Sequence, residues 1–135
     1  MNYWLVKSDP EEYGWAELSK DKKTTWTGVR SYAARNHLRA MQKGDILLFY
    51  HSGAESAVVA LAKVTKEAFQ DPTTDEDAWV AIELAPVKAL KQPVSLSTIK
   101  TVKELKNMIL LKISRLSVQP VTEAEFNKVV DMGKG

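Results

Sequence analysis

The chain has 135 residues, of which 44% are hydrophobic and 27% charged, and its formal net charge at pH 7 is +2. This is the composition of an ordinary globular domain, and the length is enough to bury one hydrophobic core. The absence of cysteine excludes disulfides and thiolate zinc sites, and two histidines leave no spacing typical of another metal site. We therefore expect neither a metal nor any other cofactor.

The chain shows no signal for export or for insertion into a membrane. Its first ten residues are too short and too polar for a signal peptide, and no apolar run approaches the roughly 20 residues of a membrane helix. No repeat, low-complexity tract or linker divides the sequence, so residues 1–135 are predicted to form one domain. We expect a cytoplasmic monomer with no membrane partner.

Taken in chain order, the first half predicts two strands and two helices. Residues 2–7 are aromatic and β-branched, which favours a strand, and the proline-led turn after them predicts a helix over residues 11–19. A second helix is predicted over residues 31–42, with a glycine beyond its end. The continuous apolar run of residues 46–51 predicts a strand buried on both faces.

The second half predicts shorter elements. In chain order these are two strands, two helical pieces, a further strand and a C-terminal helix, over residues 57–64, 80–84, 96–100, 102–107, 109–113 and the stretch after Thr122. Pro93 argues against a central strand around it, whereas Thr122 and Glu125 form a capping box. About five strands with helices at the start, middle and end predict a small α+β domain with a curled sheet or barrel.

Charge is unevenly distributed along these elements. Residues 20–43 hold seven basic side chains and one acid, residues 65–83 hold six acids and one lysine, and residues 88–112 hold six lysines and one glutamate. A basic region on a nearly neutral protein indicates phosphate contact at one place. A solvated surface without a ligand is the alternative. The acidic stretch is expected to serve solubility.

The densest polar and aromatic segment is residues 26–39. On the second helix, four side chains spaced for one face combine an aromatic ring, two guanidinium groups and an amide: Tyr32, Arg35, Asn36 and Arg39. Guanidinium groups suit phosphate, and the amide can bind a base or ribose edge. We expect this face to contact a nucleic-acid backbone, with a merely solvated helix face as the alternative.

Trp26 stands between the basic loop and Gly28, outside any regular apolar pattern. A tryptophan in that position is suited to stack on a base. Gly28 would let backbone approach a ligand closely, and the helix N-terminus after it favours an anion. The alternative is a tryptophan packed against the core.

Catalytic chemistry is weakly represented. Tyr50, His51 and Ser52 end the apolar strand, where ligand contacts often gather. His51 and Ser52 make a poor catalytic pair because adjacent strand residues point to opposite faces. The acids fit helix caps and a loop, and no Gly-rich phosphate loop is present. The sequence thus predicts recognition in one region and no catalytic residues.

Several blocks of the chain resemble the EVE domain family. They are YWLVKSDP at 3–10, WTGVRSYAARNHLRAMQKGD at 26–45, FYHS at 49–52, the strand containing Trp79, and RLSVQPVTEAEF at 115–126. The resemblance implies a PUA-like fold, a small curled β-barrel of about five to six strands with flanking helices. It also implies a non-catalytic reader of a flipped-out modified base, cytosine or adenine, in DNA, with RNA as a second possibility.

The same resemblance implies roles for individual residues. The base pocket would comprise Lys7, Ser8, Trp26, Gly28, Val29, Arg30, Tyr50, His51 and Ser52. Phosphate contacts would come from Tyr32, Arg35, Asn36 and Arg39. Apart from the resemblance, Arg115, Ser117 and Gln119 form a polar cluster before Pro120 that could support the pocket from behind; a strand terminus capped by its own side chains is the alternative.

One departure bears on the choice of base. The family commonly reads GVRNYQARN, whereas Ser31 and Ala34 stand in this chain where Asn and Gln are usual. A serine hydroxyl offers fewer hydrogen-bonding groups than an amide, so the preferred modification depends on what Ser31 does.

Two other functions compete with base reading. One is a hydrolytic enzyme acting on modified nucleosides or RNA, as in ASCH-like relatives, which would require Lys7, His51 or the acids near Asp9 to converge. The other is a protein-interaction domain without nucleic acid, which predicts that Trp26 is buried and that no pocket exists.

Overall fold

One six-stranded sheet organises the protein, which a computed structural model describes over residues 1–134. The strands are β1 Tyr3–Ser8, β2 Thr24–Trp26, β3 Ile46–His51, β4 Ala57–Gln70, β5 Val80–Ser95 and β6 Val118–Val121. The helices are α1 Trp15–Asp21, α2 Tyr32–Ala40, α3 Leu96–Ile99, α4 Ile109–Lys112 and α5 Glu123–Met132, with a 3-10 turn at Lys103–Leu105. No helix among these residues is long and apolar enough to cross a membrane.

The strand order is β2-β5-β4-β3-β1-β6. β1 and β3 are parallel, and the other neighbouring pairs are antiparallel. The α+β class and the strand number predicted from the sequence are confirmed. In its strand pairing the sheet is open rather than a closed barrel, because β2 and β6 lie at its two ends and do not pair with each other within residues 1–134.

The parallel pair of β1 and β3 separates two apolar cores. Trp4 and Phe49 belong to the core on one face of the sheet, whereas Leu5 and Leu48 belong to the core on the other. Successive strand residues point to opposite faces, so the four central residues of β3 are all buried. The predicted strand buried on both faces is confirmed.

The helix predicted over residues 11–19 is wrong in its start. Residues 9–13 form a single turn in which the Asp9 carbonyl accepts the backbone N–H groups of Glu12 and Tyr13. α1 begins only at Trp15, after Gly14, whose N–H donates to Glu17 Oε1 at 2.6 Å. The residues predicted to cap the helix therefore form a separate turn, and the helix itself begins after that turn.

Two further elements differ from expectation. Residues 109–112 form a helix and not a strand, since a short apolar run has no periodicity that separates the two. β5 continues through Pro86 and Pro93 to Ser95. Beyond Leu84, β5 pairs with β4 alone among the described strands. Its other edge forms no interstrand hydrogen bonds there, so proline, which lacks an N–H, is tolerated.

Candidate nucleic-acid interface

A cavity of about 610 Å³ opens between the end of β1, the turn after it, β2 and the segment leading into α2. Its lining residues are Lys7, Ser8, Asp9, Glu12, Tyr13, Thr24, Thr25, Trp26, Thr27, Gly28, Val29, Arg30, Ser31 and Ser117. This volume lies within the range of about 300–1,000 Å³ that is usual for small-molecule sites.

Trp26 forms part of the cavity wall and is half-buried. It is the last residue of β2, and its ring packs edge-on against Tyr13 and Phe49, at centroid distances of 6.4 and 5.9 Å. The core aromatic beneath it therefore holds the indole in place while part of it stays open. Trp26 thus packs against the core, as the alternative predicted, and it also lines a cavity, so the expectation of a buried Trp26 and no pocket is wrong.

The backbone after Trp26 is held in place by a buried acid. Gly28 has a φ of +81°, a conformation that favours glycine, and its N–H donates to Asp71 Oδ2 at 2.9 Å. Arg30 Nη1 donates to the same oxygen at 3.0 Å, and Arg30 Nη2 donates to Thr73 Oγ1 at 3.1 Å. The side chain of Asp71 is 0% exposed. The Gly28–Arg30 turn is thus tied to the loop that precedes β5.

The ionised form of Asp71 is strongly favoured. Burial alone would raise the pKa of this carboxyl, but hydrogen bonds from the hydroxyl and N–H of Thr73, the Gly28 N–H and Arg30 outweigh it, and the pKa falls well below its ordinary value. This role differs from the solubilising one predicted for the acidic stretch that contains Asp71. The only available signal was the turn-forming pattern Asp71-Pro72-Thr73.

Lys7 and Ser8 reach the cavity wall, but their polar groups are already bonded within the protein. The Lys7 ammonium donates to the Ser114 carbonyl and lies 5.6 Å from the centroid of the Tyr50 ring. Burial lowers the pKa of Lys7. The Ser8 hydroxyl donates to the carbonyl of Tyr13. Each group thus has one hydrogen bond within the protein, and the ammonium keeps further donors and the hydroxyl its acceptor lone pairs.

The end of β3 is not brought into the cavity. Tyr50 is buried in the core on the other face of the sheet. His51 Nε2 accepts the backbone N–H of Trp15 at 3.0 Å, and burial lowers the pKa of its ring. Ser52 donates its N–H to the Ser8 carbonyl at 2.9 Å. α1 begins against this strand end, so the three predicted pocket residues serve local structure in the protein.

α2 presents the predicted polar face, and most of it is engaged. Tyr32 is 62% exposed, and its ring centroid lies 4.9 Å from that of Trp79. The Arg35 guanidinium lies 5.0 Å from the Tyr32 ring centroid and donates to the Ala78 carbonyl and to Asn36 Oδ1. Arg39 is exposed and makes no ion pair within residues 1–134.

The two positions that depart from the family pattern have separate roles. Ser31 borders the cavity and caps α2, its hydroxyl oxygen accepting the N–H of Ala34 at 3.4 Å. Ala34 itself is buried in the core. Because a hydroxyl that accepts one hydrogen bond can still donate another, Ser31 keeps one group available on the cavity side.

The residues predicted to support the pocket are divided. Ser117 lines the cavity, and its carbonyl accepts the N–H of Lys7 at 2.9 Å. Gln119 is fully buried, donates from Nε2 to the Leu116 carbonyl, and leaves its Oε1 without a partner in the described chain. Arg115 is exposed and does not border the cavity.

The hydrogen-bonding character of the cavity follows from these pairings. Its two cationic side chains are committed, Arg30 to Asp71 and Lys7 to Ser114. Its two carboxylates, those of Asp9 and Glu12, form no ion pair within residues 1–134. Because Asp71 neutralises Arg30, the two carboxylates outnumber the remaining cation, Lys7, an arrangement that favours a neutral ligand carrying N–H groups over a phosphate. Within residues 1–134, no group of three or more His, Cys, Asp or Glu side chains is placed to share a metal ion.

Comparison with known proteins identifies close relatives. The EVE domain matches residues 2–132. Mouse thymocyte nuclear protein 1 is 34% identical over 165 residues, a match that covers 97% of this chain and 73% of the mouse protein. The crystal structure of a protein from Agrobacterium tumefaciens is 40% identical, with a TM-score of 0.96, covering 98% of this chain and 93% of that one.

A human relative carries a ligand. The human THYN1 protein in complex with DNA containing 5-methylcytosine is 32% identical, with a TM-score of 0.92, covering 100% of this chain and 99% of that chain. A YTH domain from Zygosaccharomyces rouxii, at 14% identity and a TM-score of 0.64, shares the fold alone. That likeness agrees with the fold class implied by the resemblance.

Proposed function

The chain belongs to the EVE domain family, and we propose that it is a non-catalytic module that binds nucleic acid by taking one flipped-out, modified base into the cavity beside Trp26. The observation that carries this proposal is the half-buried indole on the wall of a cavity of about 610 Å³. Base–aromatic stacking is available to every base, so the indole supplies affinity and the other walls supply selection. The human relative's complex with 5-methylcytosine DNA supports DNA as the partner.

The cavity walls favour a base with an exocyclic amino group, such as cytosine or adenine, over thymine. Both bases carry an exocyclic amino group that donates hydrogen bonds, whereas thymine presents a carbonyl oxygen at the corresponding position. The carboxylates of Asp9 and Glu12 border the cavity and can only accept while ionised. They would accept a hydrogen bond from the amino group and repel the thymine oxygen. This difference matters because thymine carries the same 5-methyl group as 5-methylcytosine.

The arrangement of titratable groups supports binding without catalysis. The hydrolytic alternative requires Lys7, His51 or the acids near Asp9 to converge. The Lys7 ammonium is bonded to Ser114, and His51 lies outside the cavity lining and accepts the N–H of Trp15. Asp9 and Glu12 do border the cavity beside Lys7, but His51 lies outside it, so the set that hydrolysis would require is only partly assembled.

Binding to matched oligonucleotides tests the proposal. The oligonucleotides differ at one position, carrying 5-methylcytosine, cytosine, thymine, N6-methyladenine or adenine, as DNA and as RNA, and affinity is read by fluorescence anisotropy. We expect preference for a modified cytosine or adenine over its unmodified counterpart, and 5-methylcytosine above thymine. Trp26→Ala should lose roughly five- to 150-fold in affinity, since stacking contributes about 1–3 kcal/mol per base. Trp26→Phe, which keeps an aromatic face, should recover most of that loss.

Thermal unfolding of each variant controls for stability, because Trp26 also packs on Phe49. Equal affinity of a folded Trp26→Ala variant for the modified oligonucleotide would remove Trp26 from the site. Chemical change of the modified base, followed by mass spectrometry during a long incubation, would overturn the non-catalytic proposal.

A further inference from the structure

Arg30 is the arginine on the rim of the cavity, and the protein holds it from several directions. Its Nη1 donates to Asp71 at 3.0 Å and to the Val29 carbonyl at 3.2 Å. Its Nη2 donates to Thr73 at 3.1 Å. The guanidinium carbon lies 5.6 Å from the centroid of the Trp79 ring. The side chain is nevertheless 41% exposed, against 0% for Asp71. A cation within reach of solvent is thus bound to an anion that solvent cannot reach.

We infer that Asp71 is a specificity-determining residue of this site, because it binds the Arg30 guanidinium and keeps it from backbone phosphate. The inference rests on the proposed function. Phosphate contacts add affinity for every sequence alike, whereas contacts to the base distinguish one base from another. A free arginine on the rim would raise binding to unmodified strands and so reduce the advantage of the modified one.

The chemistry of Asp71 separates this role from a purely structural one. Its carboxylate has three tasks, which are to accept the N–H of Gly28, to accept the N–H and hydroxyl of Thr73, and to neutralise Arg30. An asparagine in its place has one acceptor oxygen, which can serve either Gly28, bonded to Oδ2, or Thr73, bonded to Oδ1, and it has no charge to hold the guanidinium. With its oxygen toward Gly28, Asp71→Asn keeps the acceptor of that turn and loses the hydrogen bonds from Thr73, and it removes the negative charge that holds Arg30.

The test compares Asp71→Asn with Asp75→Asn. Asp75 is an exposed acid of the same loop that forms no ion pair within residues 1–134, so its substitution changes the net charge equally without touching Arg30. Affinities for a 5-methylcytosine oligonucleotide and its unmodified counterpart are measured between roughly 50 and 200 mM salt. Over this range, affinity that depends on phosphate contacts falls measurably as salt rises.

Relative to Asp75→Asn, Asp71→Asn should bind the unmodified strand several-fold more tightly at low salt. Its plot of log affinity against log salt should steepen by about 0.7 to 0.9, the value of one phosphate contact. The ratio of modified to unmodified affinity should fall accordingly. Equal behaviour of the two variants would overturn the inference. So would a proportional loss of both affinities with an unchanged slope, which would show that Asp71 only supports the fold.

Arg30→Gln decides the question if Asp71→Asn does not fold. If Asp71 keeps Arg30 from phosphate in the native protein, Arg30→Gln changes affinity without changing the salt slope. A slope reduced by about one contact would mean that native Arg30 already binds phosphate, which would overturn the inference. Failure of the proposed function looks different, because the native protein would then show no preference for any modified strand.

Discussion

The imidazole of His51 shows how a polar residue at a strand end can be committed to structure. Its Nε2 accepts the N–H of Trp15 at the start of α1, at 3.0 Å, so the ring serves there only while that nitrogen carries no proton. Burial lowers the pKa of this ring below its ordinary value of 6.5, and the negative charges of Glu55 and Glu17 oppose that effect. The folded protein therefore favours the neutral form.

The consequence for stability has a definite sign. In the unfolded chain His51 takes up a proton at a higher pH than in the folded protein, so its contribution to stability is present above about pH 6.5 and is lost as the pH falls through the lowered pKa. His51→Gln, which cannot titrate, should show a smaller fall in melting temperature between pH 7.5 and 5.5 than the native protein does. Thermal unfolding at the two pH values measures this.

His37 provides the matched control for that experiment. Burial lowers the pKa of His37 as well, but its ring lies against Trp4 and not at the start of α1. If His51→Gln and His37→Gln change the pH dependence by the same amount, the Trp15 hydrogen bond is not its cause. Retained preference for a modified oligonucleotide in His51→Gln would agree with its place outside the cavity.

Single residues also show how far the sequence could predict the site. Trp26 and Gly28 stand out locally, as an aromatic residue outside the apolar pattern and a glycine before a helix, and both line the cavity. The roles of His51 and Asp71 depend on contacts between positions 36 and 43 residues apart. No local pattern predicts such pairings, because they arise only when the sheet brings distant segments together.

At the level of elements, Asp45 joins three segments at the base of the sheet. It is 2% exposed and accepts the N–H of Asn2 before β1, the indole N–H of Trp4 in β1, and the N–H of Gln42 after α2. Burial alone would raise the pKa of this carboxyl, but these hydrogen bonds outweigh it and lower the pKa. One carboxylate thus fixes where α2 ends relative to the first strand.

Asp45→Ala should therefore destabilise the protein much more than removal of an exposed acid does. Each buried donor left unsatisfied costs roughly 1–3 kcal/mol, so we expect the free energy of unfolding to fall by about 3 kcal/mol. Urea unfolding measures this, with Asp77→Ala as an exposed control. A loss below about 0.5 kcal/mol, the usual range for surface substitutions, would contradict the assignment.

Elements were predictable where a periodic pattern and a cap coincided. α5 begins after Thr122, whose hydroxyl accepts the N–H of Glu125, as its capping box predicts. α2 begins after Ser31 within one residue of its predicted start. α4 and the long β5 were not predictable, because the first is a four-residue apolar run and the second depends on which of its edges is paired.

At the scale of the whole molecule, a net charge of +2 has to be reconciled with a polyanionic partner. At the cavity, Arg30 is paired with Asp71, and Lys7 lies among the carboxylates of Asp9 and Glu12, so the cavity itself contributes little attraction for phosphate. Stacking on one base supplies only about 1–3 kcal/mol, which predicts weak binding of a free nucleoside. The remaining affinity for a strand must come from cations outside the cavity.

Arg39 is suited to supply part of that attraction, and its substitution tests this role. It is exposed on α2, whose N-terminal end adjoins the cavity, and it forms no ion pair within residues 1–134, whereas Arg35 is already bonded to Ala78. Arg39→Gln should weaken binding of modified and unmodified strands alike and reduce the salt slope by about one contact. Lys103→Gln is the matched control, because that lysine lies in the 3-10 turn beside Leu105 of the opposite core. A change in base preference without a change in slope, or equal effects of the two substitutions, would mean that α2 does not provide the phosphate contact.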